Sequence, residues 1–285
     1  MGKDCTEYAR LLSTGTGMSI INVSLPNCSC RLSIITICFN EIANIKYTIN
    51  SVLNQLFSDF QYIIIDGGST DGTADIVRSY ESKLAWWCSE PDEGIYDAMN
   101  KGIKRSSGEY ILFLNGGDIL ADREVLSRIF SVNRSADILY GDLYKESGAR
   151  KYLCDMSGFT MSPRYLFDHT LYHQASLTKR SLFERVGYYD VSYRISGDLE
   201  FFKRAIVKHG ATAEYLGFPV AVFNVDGISS NAMYKPIKKK EDDRARRQNY
   251  PSVDYYVFSI RSFFRDVFYV RPKRKLRAIM ERHGE

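Results

Sequence analysis

The sequence predicts an α/β protein built on one central, mostly parallel sheet flanked by helices on both faces. Three observations carry that prediction. Short apolar runs alternate with stretches whose apolar residues recur every three or four positions, the connections between them are short, and carboxylates stand where several of the apolar runs stop.

Leu32–Phe39 (LSIITICF) is apolar on both parities, as a strand covered on both faces must be. It ends at Asn40-Glu41, where Asn40 is placed to cap a helix whose stripe is Ile42, Ile45, Ile49, Val52, Leu53 and Leu56. A second strand, Tyr62–Ile65, stops at Asp66 and a Gly-Gly turn, and Asp71 then opens a helix carrying Ile76, Val77 and Tyr80. A third short strand is expected around Trp86, before a helix marked by Ile95, Met99 and Ile103. Tyr110–Leu114 then forms a buried strand that breaks at Asn115-Gly116-Gly117, with Asp118 next.

Further on, ADILYGDLYKE reads as a strand, and LYHQASLTKRSLFERVGYYD as a polar turn leading to a helix near Arg180–Val186. Ser196-Gly197-Asp198 precedes an apolar helical face of Leu199, Phe202, Ala205 and Ile206, which puts Asp198 in a first helical turn. PVAVFNV is a last strand. In open α/β sheets ligands bind beyond the carboxyl ends of the strands, so Asp66, Asp118 and Asp198 are expected on one rim.

Composition narrows the class. With 285 residues, 45% hydrophobic and 25% charged, the chain can bury a full core. No apolar run reaches the roughly 18 residues that span a bilayer, and the N-terminus lacks the basic-then-apolar order of a secretory signal, which places the catalytic part in the cytoplasm. The 6 cysteines are scattered without paired zinc-ligand spacing and read as free thiols. Residues 1–30 read as a poorly ordered leader, 31–234 as the catalytic domain and 235–285 as a basic tail.

From Lys235 onward 15 Lys and Arg face 7 Asp and Glu, whereas the body is mildly acidic, so polyanions such as nucleic acid are not the body's partner. The tail opens with a charge run, KPIKKKEDDRARRQ. It continues with Val253, Tyr256, Val257, Ile260, Phe263, Phe264, Val267 and Phe268 at helical spacing among arginines. Such a helix either packs on the domain or lies at the inner face of a membrane on anionic lipid.

Taken in order, TICFNEIANI, IIIDGGSTDGT, DEGIYDAMNKGI, ILFLNGGD and SGDLEFFKRA resemble the family-2 glycosyltransferases of the GT-A fold over roughly residues 32–230. GGSTDG lacks the GxGxxG spacing of a dinucleotide-binding turn. The resemblance implies a GT-A-like fold, with a nucleotide-sugar half and an acceptor half. It also implies a nucleotide-diphosphate sugar donor, transfer with inversion, and a glycan or lipid-linked acceptor. Thr36, Asn40, Glu41, Asp66, Asp71 and Asp97 match positions on the donor side, with Asp66 the acid that hydrogen-bonds the base. Asp118, with Asn115, falls in the motif that holds Mn or Mg on the diphosphate, and Asp198 on the general base. His173 and Gln174 fall on the acceptor side, where a structural role for the histidine is the other reading. Gly227-Ile228-Ser229-Ser230 resembles a loop that closes over the donor.

Two departures accompany the resemblance. Many relatives have adjacent acids where this chain has Asp66-Gly67, and a richer acidic run where it has Asn115-Gly116-Gly117-Asp118. Either Asn115 and water complete the cation's shell, or the cation is held weakly. The competing functions are a non-catalytic binder of nucleotide sugar or glycan, and a sugar nucleotidyltransferase, in which Asp198 has no evident role.

Overall fold

The structure is a computed structural model that describes residues 30–148, 150–225, 232–265 and 267–268. The elements run β1 (Leu32–Cys38), α1 (Ile45–Leu53), β2 (Phe60–Asp66), α2 (Thr73–Arg78), β3 (Trp86–Ser89), α3 (Ile95–Arg105), β4 (Tyr110–Phe113), β5 (Ile119–Leu120), α4 (Val125–Ile129), β6 (Ile138–Ser147) and β7 (Arg150–Cys154). They continue with α5 (Pro163–Asp168), β8 (Ser176–Lys179), α6 (Arg180–Val186), α7 (Gly197–Lys203), β9 (Ala213–Asn224), α8 (Lys235–Asn249) and α9 (Ser252–Arg265).

One sheet carries all the described strands in the order β3-β2-β1-β4-β8-β6-β9-β5, with β7 beside β6. The first four strands are parallel, and Cys38 pairs with Asp66, so β1 and β2 end level. From β8 onward the pairing is mixed, since β8 runs antiparallel to both β4 and β6 while β9 runs parallel to β6.

Alternation within β1 splits the core in two. Ile35 and Ile37 join Met99, Phe113, Phe183 and Phe201 on one face. Ile34 joins Ile49, Ile64, Leu112 and Leu126 on the other. Both parities are apolar because both faces are covered, as β1's seven buried residues require.

The charge run at Lys235 forms α8, which does not stand wholly in solvent. Glu241, Ala245 and Asn249, four residues apart, are buried as α8 packs against α7. On α9, Phe258 packs edge-on to Phe167 and Tyr250, and Ser262 and Arg265 bond Asp168. The other side of α9 leaves Tyr256, Ile260, Phe263 and Phe264 exposed. Among the described residues no helix is long and apolar enough to cross a membrane. Residues 1–29 of the expected leader (1–30), the loop at Gly227–Ser230 and the basic stretch beyond Phe268 lie outside the described residues.

Candidate active site

β1, β2 and β4 point their carboxyl ends at one edge, and the chain leaving β4 stays there. The N–H groups of Leu114 and Gly116 donate to the carbonyls of Ile35 and Ile37, and Gly117 N–H donates to Thr48 Oγ1 (2.9 Å). Asp118 is thereby held 2% exposed, with Oδ1 accepting the N–H of Asn224 at the end of β9 (3.1 Å). Its Oδ2 is buried with no donor at hydrogen-bond geometry, and so is Asn115 Oδ1. Burial pushes Asp118 up to about 7, although the Asn224 N–H and the Gln174 side chain beside it favour the charged form.

Two buried oxygens without donors, one carboxylate and one amide, suit a hard cation. Among the described residues no group of three or more His, Cys, Asp or Glu side chains gathers at metal-binding reach. A cation here would take Asp118 and Asn115 and complete its shell with diphosphate oxygen and water, the way Mg²⁺ is ordinarily held.

Asp198 lies in the first turn of α7. Its Oδ1 accepts the N–H of Leu199 (2.9 Å) and shares the Tyr96 hydroxyl (3.2 Å), which also donates to the Ile195 carbonyl (2.8 Å). Its Oδ2 lies 3.0 Å from His173 Nδ1, and His173 Nε2 lies 3.1 Å from Asn115 Nδ2. An amide nitrogen only donates, so Nε2 accepts and the ring proton sits on Nδ1, facing Asp198. A chain of contacts therefore runs Asp198–His173–Asn115 to the loop that carries Asp118. Burial would raise the Asp198 carboxyl, but the His173 contact and the Leu199 N–H hold it below the ordinary carboxylate range.

The segment before Asp198 is braced from two sides. Glu241 on α8 accepts the N–H groups of Arg194 (2.8 Å), Ile195 (2.9 Å) and Ser196 (2.9 Å), and Ser196 Oγ donates to Asp242 (2.6 Å). On α3, Asn100 bonds the backbone of Tyr189 in both directions. The ring of Tyr96 lies so close that a Cβ on Gly197 would meet it at 2.7 Å, which is why no side chain fits there. Glu241→Ala should destabilise the fold by about 2–4 kcal/mol, since one buried and two partly buried N–H groups lose a charged acceptor together. Denaturant unfolding checks this, and a change within measurement error would refute the bracing.

The donor-side residues divide. Thr36 is fully buried in the sheet and bonded to the Tyr62 hydroxyl (2.9 Å), so its side chain is part of the core and faces no cleft. Asn40 caps no helix: it adopts φ 53°, its N–H donates to Ser69 Oγ (2.8 Å), and its Oδ1 accepts from Thr70 N–H (3.0 Å), tying the first loop to the second. Asp71 accepts from Ile42 N–H (3.0 Å) and Thr73 N–H (2.9 Å) and reinforces that tie. Asp66 is 0% exposed, and its oxygens accept from Ser69 N–H, Ser69 Oγ and Ser89 Oγ, so here it orders the loop.

Glu41 sits over Gly116, accepts from Asn44 (3.1 Å) and is raised by burial. Asp97 accepts from Glu93 N–H (3.2 Å) and pairs with Lys101 (3.3 Å) at the start of α3. Gln174 is 5% exposed in the single 3-10 turn that carries His173. Tyr96 and Asn100 lie in the DEGIYDAMNKGI segment that the sequence marked, though not as residues with a role of their own, and Asn224 and Glu241 are brought to the site through fold contacts that no motif marks.

Comparison with known proteins addresses the family and the fold. The sequence model described as Glycosyl transferase family 2 matches residues 33–187. A PGL/p-HBAD biosynthesis glycosyltransferase of Mycobacterium bovis is 31% identical over 207 residues, covering 70% of this chain and 79% of its own. Among solved structures, S. aureus TarS 1-349 in complex with UDP-GlcNAc superposes with a TM-score of 0.64 at 17% identity, covering 84% of this chain and 73% of its own. The mannosyltransferase PcManGT from Pyrobaculum calidifontis, in complex with GDP-Man and Mn2+, does so with a TM-score of 0.60 at 15% identity, covering 82% and 70%. The architecture is thus the GT-A-like one expected from the sequence.

Proposed function

The chain belongs to glycosyl transferase family 2 and is a glycosyltransferase acting on a nucleotide sugar, and from that premise we propose an inverting, metal-assisted transfer in which Asp198 is the general base. The acceptor on this reading is a hydroxyl of a lipid-linked or surface glycan. The single observation that carries it is the contact chain Asp198–His173–Asn115, which joins a charged carboxylate to the loop bearing the donor-free oxygen of Asp118.

An acceptor hydroxyl gains nucleophilicity only as its proton is taken, so the base must be charged and fixed. Asp198 meets both needs: it is held below its ordinary pKa, and Tyr96, Leu199 and His173 leave its carboxylate no freedom to turn. Attack opposite the leaving group gives inversion in one displacement. Asp118 and Asn115 would hold Mn²⁺ or Mg²⁺ against the diphosphate, and the cation, when bound, neutralises charge growing on that leaving group. Glu41, Asp71 and Asp97 frame the donor side by fixing the loops beyond β1 and β2 and the start of α3.

The tail supports an anionic membrane surface as the workplace. α9 is fastened by Phe258, Ser262 and Arg265 and turns Tyr256, Ile260, Phe263, Phe264 and Arg261 outward, a face suited to the headgroup boundary. The chain would then act as a peripheral protein at the inner face.

The test is to incubate the protein with UDP- and GDP-sugars in the presence of Mn²⁺ and follow nucleoside diphosphate release. Release that an acceptor accelerates and EDTA abolishes is expected. Tight nucleotide-sugar binding with no release on any acceptor would favour the non-catalytic binder, and pyrophosphate formed from a nucleoside triphosphate would favour the nucleotidyltransferase.

A further inference from the structure

Resting on the reading that the chain transfers a sugar to an acceptor hydroxyl at Asp198, we infer that the acceptor carries an anionic oxygen group, a phosphate or a carboxylate, received by Lys145 and Arg150 of the β6–β7 hairpin. The topology brings that hairpin to the site. β8 runs antiparallel to both β4 and β6, so β6 ends at the same edge of the sheet as β4. Its pairing with β8 stops at Tyr140, and from Leu143 to Ser147 it pairs with β7 instead, carrying the hairpin past the rim.

Lys145 is held between the two halves of the site. On one side, the next residue, Glu146, pairs with Asn224, whose N–H reaches Asp118. On the other, the Lys145 ammonium stands 4.7 Å from the ring centre of Tyr172 and donates to its hydroxyl (3.4 Å), and Tyr172 directly precedes His173. Lys101 and Lys238, also near the rim, are neutralised, the first by Glu90 and Asp97 and the second by Asp242. Among the described residues no carboxylate lies at ion-pair distance from Lys145. A half-buried ammonium that rests on a ring and a hydroxyl keeps its charge for a ligand.

Strand alternation puts a second cation on the same face. Lys145 pairs with Tyr152 and Ser147 with Arg150, so Lys145, Tyr152 and Arg150 share one face of the hairpin. Lys145 and Arg150 are diagonal neighbours there, with backbones roughly 7–8 Å apart, close enough for both heads to meet one group. Glu146, the acid of these paired stretches, turns to the opposite face, across from Lys151. Two like charges on one face repel, and an oxyanion between them removes that cost. Lysine brings a point charge and arginine a planar fork, both suited to phosphate or carboxylate oxygen. Tyr152, 52% exposed beside them, offers a ring against which a sugar can lie. A neutral glycan would leave both cations unanswered.

The experiment is an NMR titration of the full chain labelled with ¹³C-lysine and saturated with Mg²⁺ and UDP or GDP, so that the donor side is already filled. The probes are methyl phosphate, glucose 1-phosphate, glucuronate and, as the neutral control, methyl glucoside. The Cε signal that Lys145→Gln lacks identifies Lys145. That signal should shift saturably with the phosphates or with glucuronate and stay still with methyl glucoside. Whichever anion binds more tightly tells a phosphate-linked acceptor from a glycan bearing acidic sugars. Arg150→Gln should raise the dissociation constant about tenfold. A Lys145 signal that no anion moves, or that methyl glucoside moves as far, would overturn the inference and leave the donor reading intact, as would anion binding that Arg150→Gln does not weaken. A chain that binds neither UDP nor GDP would overturn the transfer reading and this inference together.

Discussion

Asp198→Asn should lower turnover by ~10²–10⁴-fold, the range a positioned base contributes, while binding of nucleotide and Mn²⁺ stays near the parent's. The substitution keeps the shape of the side chain, and the asparagine carbonyl can still accept from His173 Nδ1 or from Leu199 N–H, which now bond the carboxylate at 3.0 and 2.9 Å. What it removes is the capacity to take a proton. Single-turnover release of nucleoside diphosphate with and without acceptor separates the two effects: transfer should fall and donor affinity should not. Because Asp198 is held below its ordinary range, it stays charged at every pH above that range, and the acid limb of the turnover profile must come from another group. Asp118, whose carboxyl burial raises, is that group: it must shed its proton to take the cation, so at limiting Mn²⁺ turnover should rise with pH, and more Mn²⁺ should move that rise to lower pH. Transfer by Asp198→Asn at the parent's rate would refute the base assignment.

How much of this was legible depended on which physical signal each part carried. β1, β2 and β4 declare themselves because both faces are covered and apolar residues fall on both parities. α6 falls at Arg180–Val186, where periodicity placed it. β7 is hidden because its residues Arg150–Leu153 are exposed and mixed in type, with no alternation to read. β8 is only four residues long and sits inside what reads as a polar turn, and β5 has two residues. At the site, the acids at strand ends were visible and their division of labour was not. Strand parity turns Thr36 to the Tyr62 side of the sheet, and Asp66 spends its oxygens on Ser69 and Ser89, neither of which a motif reveals. Glu241 was least visible of all, because a carboxylate buried by three backbone donors looks, in sequence, like one more charge in a charged helix.

Asp118→Asn should make the protein more stable and less active at once. In the parent, the unfolded carboxyl titrates near 3.8 and the folded one near 7, so between those values the folded chain keeps a proton that the unfolded chain has shed. The folded pKa is raised, so stability falls as pH climbs from about 4 to about 7 and is level on either side. The gap converts to about 4 kcal/mol as an upper figure. Asparagine carries no charge to desolvate, and its carbonyl can keep the Asn224 N–H that Oδ1 now accepts at 3.1 Å. The variant should therefore melt above the parent at pH 8 and alongside it at pH 4. Mn²⁺ with nucleoside diphosphate should restore much of the parent's loss at pH 8 and do little for Asp118→Asn, whose turnover should collapse. A parent whose melting temperature rises from pH 5 to pH 8 without metal, or a variant that melts below it at pH 8, would refute the account. A carboxylate buried with one oxygen unsatisfied is a poor choice for folding alone, and it makes sense where the missing partner is a cation that arrives with the substrate.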